Sequence, residues 1–260
     1  MIPSSPSPAA RSTLEQLFAT FPGVAVHDAR LSEDDPPPLL PEEARQIASA
    51  VKSRQVEFAT VRDCARRAAA RLGIPPFVLC NGIDRAPQWP AGLVGSLTHT
   101  GKAPGGYAAA AVARRSEMAA VGIDAEGARP LPMRLWRMVL TADEQLRLAG
   151  MDDPHLQGIV AKLVFSAKEC FYKAQFPLTH RRLGFRDVEI AWDLAGQTFE
   201  AHVVAGAGRS SLTPANDDLP LTTSLTTLDR CTGRFVIDDE LVRTAIGIPP
   251  DNHLSGDEGG

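Results

Sequence analysis

The residues best suited to chemistry fall in three short segments and on one helix. Within VGIDAE, Asp124 and Glu126 lie two apart at the end of an apolar strand, so both carboxylates project from one face. Such a pair can hold a hard cation; magnesium in particular is bound by one or two carboxylates together with substrate phosphates. Acidic residues at strand ends also commonly just face water, and the pair alone does not decide between the two. On the helix that carries FSAKECFYKA, residues 165–174, the spacing puts Lys162, Ser166, Glu169 and Lys173 on one face, apart from the stripe of Val160, Leu163, Ala167, Cys170, Phe171 and Ala174. Phe165 and Tyr172 flank that polar face, which suits the wall of a cleft. The plainer reading is an exposed Glu169 and Lys173 pair at i,i+4. GSLTHT ends a strand on His99, with Gly101, Gly105 and Gly106 following; these glycines match no P-loop or dinucleotide fingerprint. A lone histidine serves as often in structural hydrogen bonding as in phosphate binding.

The helix is the run Val51, Phe58, Val61, Ala65, Ala68, Leu72, closed by Gly73. Its wheel puts Arg54 in the middle of the apolar stripe and Arg62 at the edge, whereas Arg66, Arg67 and Arg71 point elsewhere. An inward arginine calls for an anion, a local carboxylate or a snorkelling path to water.

Other elements must position these groups. Strands are expected at Gly92 to Thr98, Gly106 to Ala113 and Met118 to Ala125, the last two paired through a polar turn at Arg114 to Glu117. Helices follow at Pro132 to Leu140, at Thr141 to Ala149 behind a capping box of Thr141 and Glu144, and at Leu156 to Phe176. Short strands follow at Asp187 to Trp192, Phe199 to Val204 and Arg234 to Ile237. Helices alternating with mostly antiparallel strands imply an α+β chain in two halves.

Composition bounds the function. The chain has 260 residues, a net charge of −4, and 44% hydrophobic residues. That balance disfavours nucleic acid as a partner, and no apolar stretch is long enough to span a membrane. The N-terminal Ser, Pro and Ala residues lack the apolar core of a signal peptide, so a cytoplasmic setting is expected. Cys64, Cys80, Cys170 and Cys231 are scattered without metal-ligand spacing and are expected to be small buried hydrophobes. Lysine occurs only at 52, 102, 162, 168 and 173, three of them near Glu169.

Taken in order, the arginine-bearing helix, APQWPAGLVGSLTHT, VGIDAE, FSAKECFYKAQFPLT and GRFVIDDELVRTA resemble the 4'-phosphopantetheinyl transferases of the Sfp and enterobactin-synthetase component D type, especially their actinobacterial branch. The similarity runs from about Pro41 to Gly247. It implies two pseudo-symmetric α/β subdomains, residues 13–115 on the coenzyme A phosphate and adenine side and 116–249 on the magnesium side, with coenzyme A in the cleft between them. Residues 1–12 and 250–260 would be disordered tails. It implies transfer of the 4'-phosphopantetheine arm to a serine of apo acyl or peptidyl carrier proteins, giving the holo carrier and adenosine 3',5'-bisphosphate. Asp124, Glu126 and Glu169 would hold magnesium, or manganese in its place. Glu169 and Lys173 would act in catalysis, and Arg54, Arg62, His99 and Lys173 would bind coenzyme A. A monomer is expected.

Two departures stand out. Asn81 occupies a position where close relatives carry a basic residue, and GKAPGG is longer than usual, with Lys102 a candidate to replace the missing charge. An acidic carrier is expected to dock on Leu131 to Met138, through Met133, Arg134, Trp136 and Arg137, with Arg181 and Arg182 as the next candidates. A coenzyme A-binding regulator without turnover would not need all three carboxylates, and a mere carrier-binding module would need neither coenzyme A nor metal.

Overall fold

The computed structural model describes residues 12–204 and 228–250. The tails expected at 1–12 and 250–260 therefore lie almost wholly outside the described residues; Ser12 is the N-cap of the first helix, and Glu15 completes its capping box.

The N-terminal half contains α1 (Thr13–Leu17), β1 (Ala25–Arg30), α2 (Pro41–Ile47), α3 (Lys52–Ala70), β2 (Leu93–Thr100) and β3 (Tyr107–Arg114). Its antiparallel sheet has the order β1-β3-β2. The C-terminal half contains β4 (Ala120–Gly127), α4 (Met133–Val139), α5 (Ala142–Ala149), α6 (Pro154–Thr179), β5 (Val188–Asp193), β6 (Thr198–Val203), β7 (Arg230–Ile237) and β8 (Leu241–Ile248). Its antiparallel sheet runs β4-β8-β7-β6-β5. Each half is thus a long helix on an antiparallel sheet, the α+β plan expected.

The small residues of β3 explain how the halves meet. Ala108 and Ala110 face α3 and pack with Val56, Val61, Cys64 and Ala65. Ala109, Ala111 and Ala113, on the opposite face, pack with Val121, Ile123, Ala125 and Ala245 of the other half. A strand of alanines lets a helix and a second sheet approach it from both sides. On the far face of the larger sheet, Val160, Leu163, Ala167, Cys170 and Phe171 of α6 pack with Ile190, Phe199 and Ile246. Contact is closest at Gly122, where an added Cβ would lie 2.3 Å from the Cys170 carbonyl oxygen.

One expectation is corrected. β4 does not form a hairpin with β3 but pairs with β8, Asp124 opposite Thr244. The edge of β4 that faces the N-terminal half is met by side chains of β2: Ile123 N donates to Ser96 Oγ and Ala125 N to Thr98 Oγ1, each at 3.1 Å. Hydroxyls here do the work of ladder carbonyls, so the buried amides are satisfied without a continuous sheet. The turn at 114–117 only redirects the chain from one sheet to the other.

Among the described residues no helix is long and apolar enough to cross a membrane. The cysteines are free, Cys64 and Cys170 fully buried and the other two half-buried.

Candidate active site

The C-terminal end of β4 carries Asp124 into the contact with α6. Asp124 is 4% exposed. Its Oδ1 accepts from Lys173 Nζ at 2.7 Å and from Thr98 Oγ1 at 3.3 Å, and its Oδ2 accepts from Ser166 Oγ at 2.8 Å. Lys173 also donates to the Ile123 carbonyl at 3.2 Å. Two residues on, Glu126 is half-buried and accepts from Lys162 Nζ at 3.3 Å. The polar face of α6 is therefore turned toward the β4 carboxylates, with Lys162, Ser166 and Lys173 reaching them.

Burial pushes the Glu169 carboxyl above the usual carboxylate range, and the Asp124 charge pushes it further. Glu126 is raised by the same two causes, burial first, with Lys162 opposing. Burial works against the Lys173 charge, but the Asp124 carboxylate outweighs it and raises the ammonium above its ordinary value. Among the described residues, Glu169 makes no hydrogen bond or ion pair.

Glu169 and Lys173 line a cleft of about 580 Å³. The opposite wall is α3 and β2, contributing Arg54, Arg62 and His99, and the rim is the 81–89 segment. Five of the residues expected at the site thus share one cavity. Asp124 stands behind Lys173, and neither it nor Glu126 lines the cavity itself.

Arg54 and Arg62 differ from expectation in opposite ways. Arg54 is half-exposed, in the first turn of α3. Its Nη1 donates to Glu57 Oε2 at 3.0 Å and lies 3.0 Å from His99 Nε2. Arg62 is 2% exposed. Its Nε donates to the Leu79 carbonyl at 2.8 Å, Nη1 to the Phe58 carbonyl at 3.2 Å and Nη2 to Asn81 Oδ1 at 2.7 Å, with the guanidinium over the Phe58 ring. Burial lowers its pKa to about 10, so it remains a cation at neutral pH. Burial lowers His99, as do Arg54 and Lys173, while Glu57 opposes them. Nε2 of the ring thus faces both the Arg54 guanidinium and, at 3.2 Å, Glu57 Oε2.

Lys102 is exposed and does not line the cleft; the cations that do, beyond those foreseen, are Arg85 and Arg115. Trp89 also lines it, against Gly95, where a Cβ would lie 2.4 Å from the indole. A smaller adjoining recess of about 190 Å³ is lined by Glu169, Tyr172, Leu183, Phe185 and Val188, mostly apolar. Trp136, expected on a docking face, is core, its Nε1 donating to the Leu131 carbonyl at 3.0 Å; Met133, Arg134, Arg137 and Met138 of α4 are exposed.

Lys168 adds a buried charge that the motifs do not mark. Its Nζ is buried and donates to Glu144 Oε2 at 2.7 Å and to the carbonyls of Val139 and Phe185, each at 2.8 Å. Glu144, in the α5 capping box, also accepts from Ile190 N at 2.7 Å. This pair fixes α6 against α5 and β5 beside Glu169. The only sequence signal was a lysine next to that glutamate in a chain poor in lysine.

Among the described residues, no three His, Cys, Asp or Glu side chains are gathered as a ready metal site. The chemistry of the donor set nonetheless fits a hard divalent cation. Asp124, Glu126 and Glu169 supply only oxygen, and Asp124 destabilises the charge of both glutamates.

The family model for the 4'-phosphopantetheinyl transferase N-terminal domain matches residues 42–113, and that for the 4'-phosphopantetheinyl transferase superfamily matches residues 120–218. Among curated relatives, the 4'-phosphopantetheinyl transferase Svp of Streptomyces mobaraensis is 41% identical over 240 residues, covering 89% of each chain. PptT of Mycobacterium tuberculosis is 39% identical over 233 residues, 88% of this chain and 96% of that one. Npt of Nocardia iowensis is 38% identical over 207 residues, 79% and 87% of the two chains.

Proposed function

The chain belongs to the 4'-phosphopantetheinyl transferase superfamily, and on that premise we propose how its residues carry the phosphopantetheine arm of coenzyme A to a serine of an apo acyl or peptidyl carrier protein. The reading rests chiefly on one observation: a single cleft has cations on one wall and Glu169 with Lys173 on the other.

Coenzyme A is the co-substrate. Its nucleotide phosphates suit the wall of Arg54, Arg62 and His99, where Arg62 keeps its charge although buried and without a carboxylate in contact. The pantetheine arm suits the apolar recess of Tyr172, Leu183, Phe185 and Val188, which opens beside Glu169. The pyrophosphate then lies between, next to Lys173.

The serine oxygen forms a bond to the β-phosphorus, and the bond from that phosphorus to the bridging oxygen breaks. The electron pair of the broken bond leaves on adenosine 3',5'-bisphosphate. Glu169, which lines the cleft beside Lys173 and has no competing hydrogen bond from its side chain, takes the serine proton. Lys173, held protonated by Asp124, offers a cation to the leaving phosphate. Magnesium, or manganese in its place, held by Asp124, Glu126 and Glu169, would neutralise pyrophosphate charge when bound.

The test is the intact mass of an apo carrier protein incubated with the chain, coenzyme A and magnesium. A gain of one phosphopantetheine per carrier, lost with a chelator and restored by magnesium, is the expected result. No gain with a panel of acyl and peptidyl carriers would overturn it.

A further inference from the structure

Arg62 is a buried cation whose surroundings are arranged with unusual economy. Every acceptor it touches is neutral: the carbonyls of Leu79 and Phe58 and the side-chain amide oxygen of Asn81. Glu43, whose charge favours the Arg62 cation from out of contact, is bonded elsewhere, accepting from Arg66 at 2.9 and 3.0 Å, from Leu79 N at 2.8 Å and from Leu40 N at 3.1 Å. Three of the five guanidinium N–H groups are thus consumed by oxygens that hold the plane without cancelling the charge.

Asn81 is itself held on both sides. Its N–H donates to Gln46 Oε1 and its carbonyl accepts from Gln46 Nε2, both at 2.8 Å, and it bridges to Pro87 across the rim of the cleft. An amide docked on α2 by two backbone bonds thus fixes one end of an arginine from α3. The type of side chain matters more than its reach. An aspartate of the same shape would keep the contact and neutralise the cation, whereas alanine would leave Nη2 unheld.

We infer that Asn81 is a positioning residue that holds the Arg62 guanidinium against the cleft with no carboxylate in contact, and so sets the preference for a ligand bearing a 3'-phosphate. This rests on the cleft being the coenzyme A site.

Calorimetric binding of adenosine 3',5'-bisphosphate and of adenosine 5'-monophosphate tests it without carrier, metal or turnover. The wild-type chain should bind the bisphosphate at least about tenfold more tightly, a ratio worth one charge-assisted contact. Asn81→Asp should bring that ratio close to one with no fall in melting temperature, and Asn81→Ala should reduce it partly. In transfer assays Asn81→Asp should raise the KM for coenzyme A and leave kcat within about twofold. A wild-type chain without preference for the bisphosphate, or an Asn81→Asp chain that keeps it, overturns the inference. Failure to transfer to any carrier while the binding ratios hold would instead overturn the transferase reading.

Discussion

Lys173 on α6 and Asp124 on β4 are joined at 2.7 Å, so the cation beside the cleft and the buried carboxylate depend on each other. Glu169, one turn before Lys173, has no such partner among the described residues. The two carboxylates should therefore respond differently to neutralisation. Asp124→Asn strands Lys173 and should cost about 1–3 kcal/mol of stability along with activity. Glu169→Gln removes a carboxylate that folding disfavours; stability should hold or rise while the transfer rate falls at least about a hundredfold. Urea unfolding beside single-turnover transfer separates the cases. Equal destabilisation by both would contradict the pairing described.

Gly122 lets α6 approach β4, and Gly122→Ala places a methyl group against the Cys170 carbonyl. Relief requires moving the helix that carries Glu169 and Lys173 away from Asp124. A loss of about 1–3 kcal/mol is expected, with transfer reduced even at temperatures where the variant is fully folded. A thermal melt and a rate at low temperature check it.

His99 titrates below its ordinary value, first through burial and then through Arg54 and Lys173. The unfolded chain therefore binds a proton there before the folded one does. Stability should fall as pH drops below about 6.5, and His99→Gln should flatten part of that slope. His27, also lowered by burial and by Arg67 and Arg71, keeps the remainder. An NMR titration placing the His99 midpoint above 6.5 would reverse the sign and refute this.

On α4, Met133 and Met138 are exposed beside Arg134 and Arg137. If an acidic carrier docks there, Arg134→Glu should raise the KM for carrier about tenfold at low salt, flatten the salt dependence and leave the KM for coenzyme A alone. An unchanged carrier KM removes α4 from the interface.

Local signals in the sequence were reliable because they are settled within a turn or two. The capping box of Thr141 and Glu144 is present as read, and the polar face of α6 does meet the carboxylates of β4. The wheel put Arg62 only at the edge of the apolar stripe, yet it is buried. The wheel misplaced Arg54 because periodicity gives a residue's direction about the helix axis but not how much of the side chain its surroundings cover in the first turn. It likewise left Trp136 ambiguous, since a short helix offers too few turns to define its buried face. The pairing of β4 was misread because its partner lies at the far end of the chain, whereas a polar turn beside β3 imitates a hairpin. Lys168 and Glu144 could not be matched from spacing alone, as nothing in either segment names the other.

That distant pairing also governs the order in which the protein can be completed during synthesis. β4 emerges from the ribosome with Asp124 and Glu126, but its hydrogen-bonding partner, β8, is translated only after every other described strand. Until then the carboxylate strand has an open backbone edge, the kind of edge that recruits other chains. A stop codon before Leu241 would thus retain nearly every residue that lines the cleft and still yield a product prone to aggregation, since the strand that carries Asp124 and Glu126 would lack its neighbour.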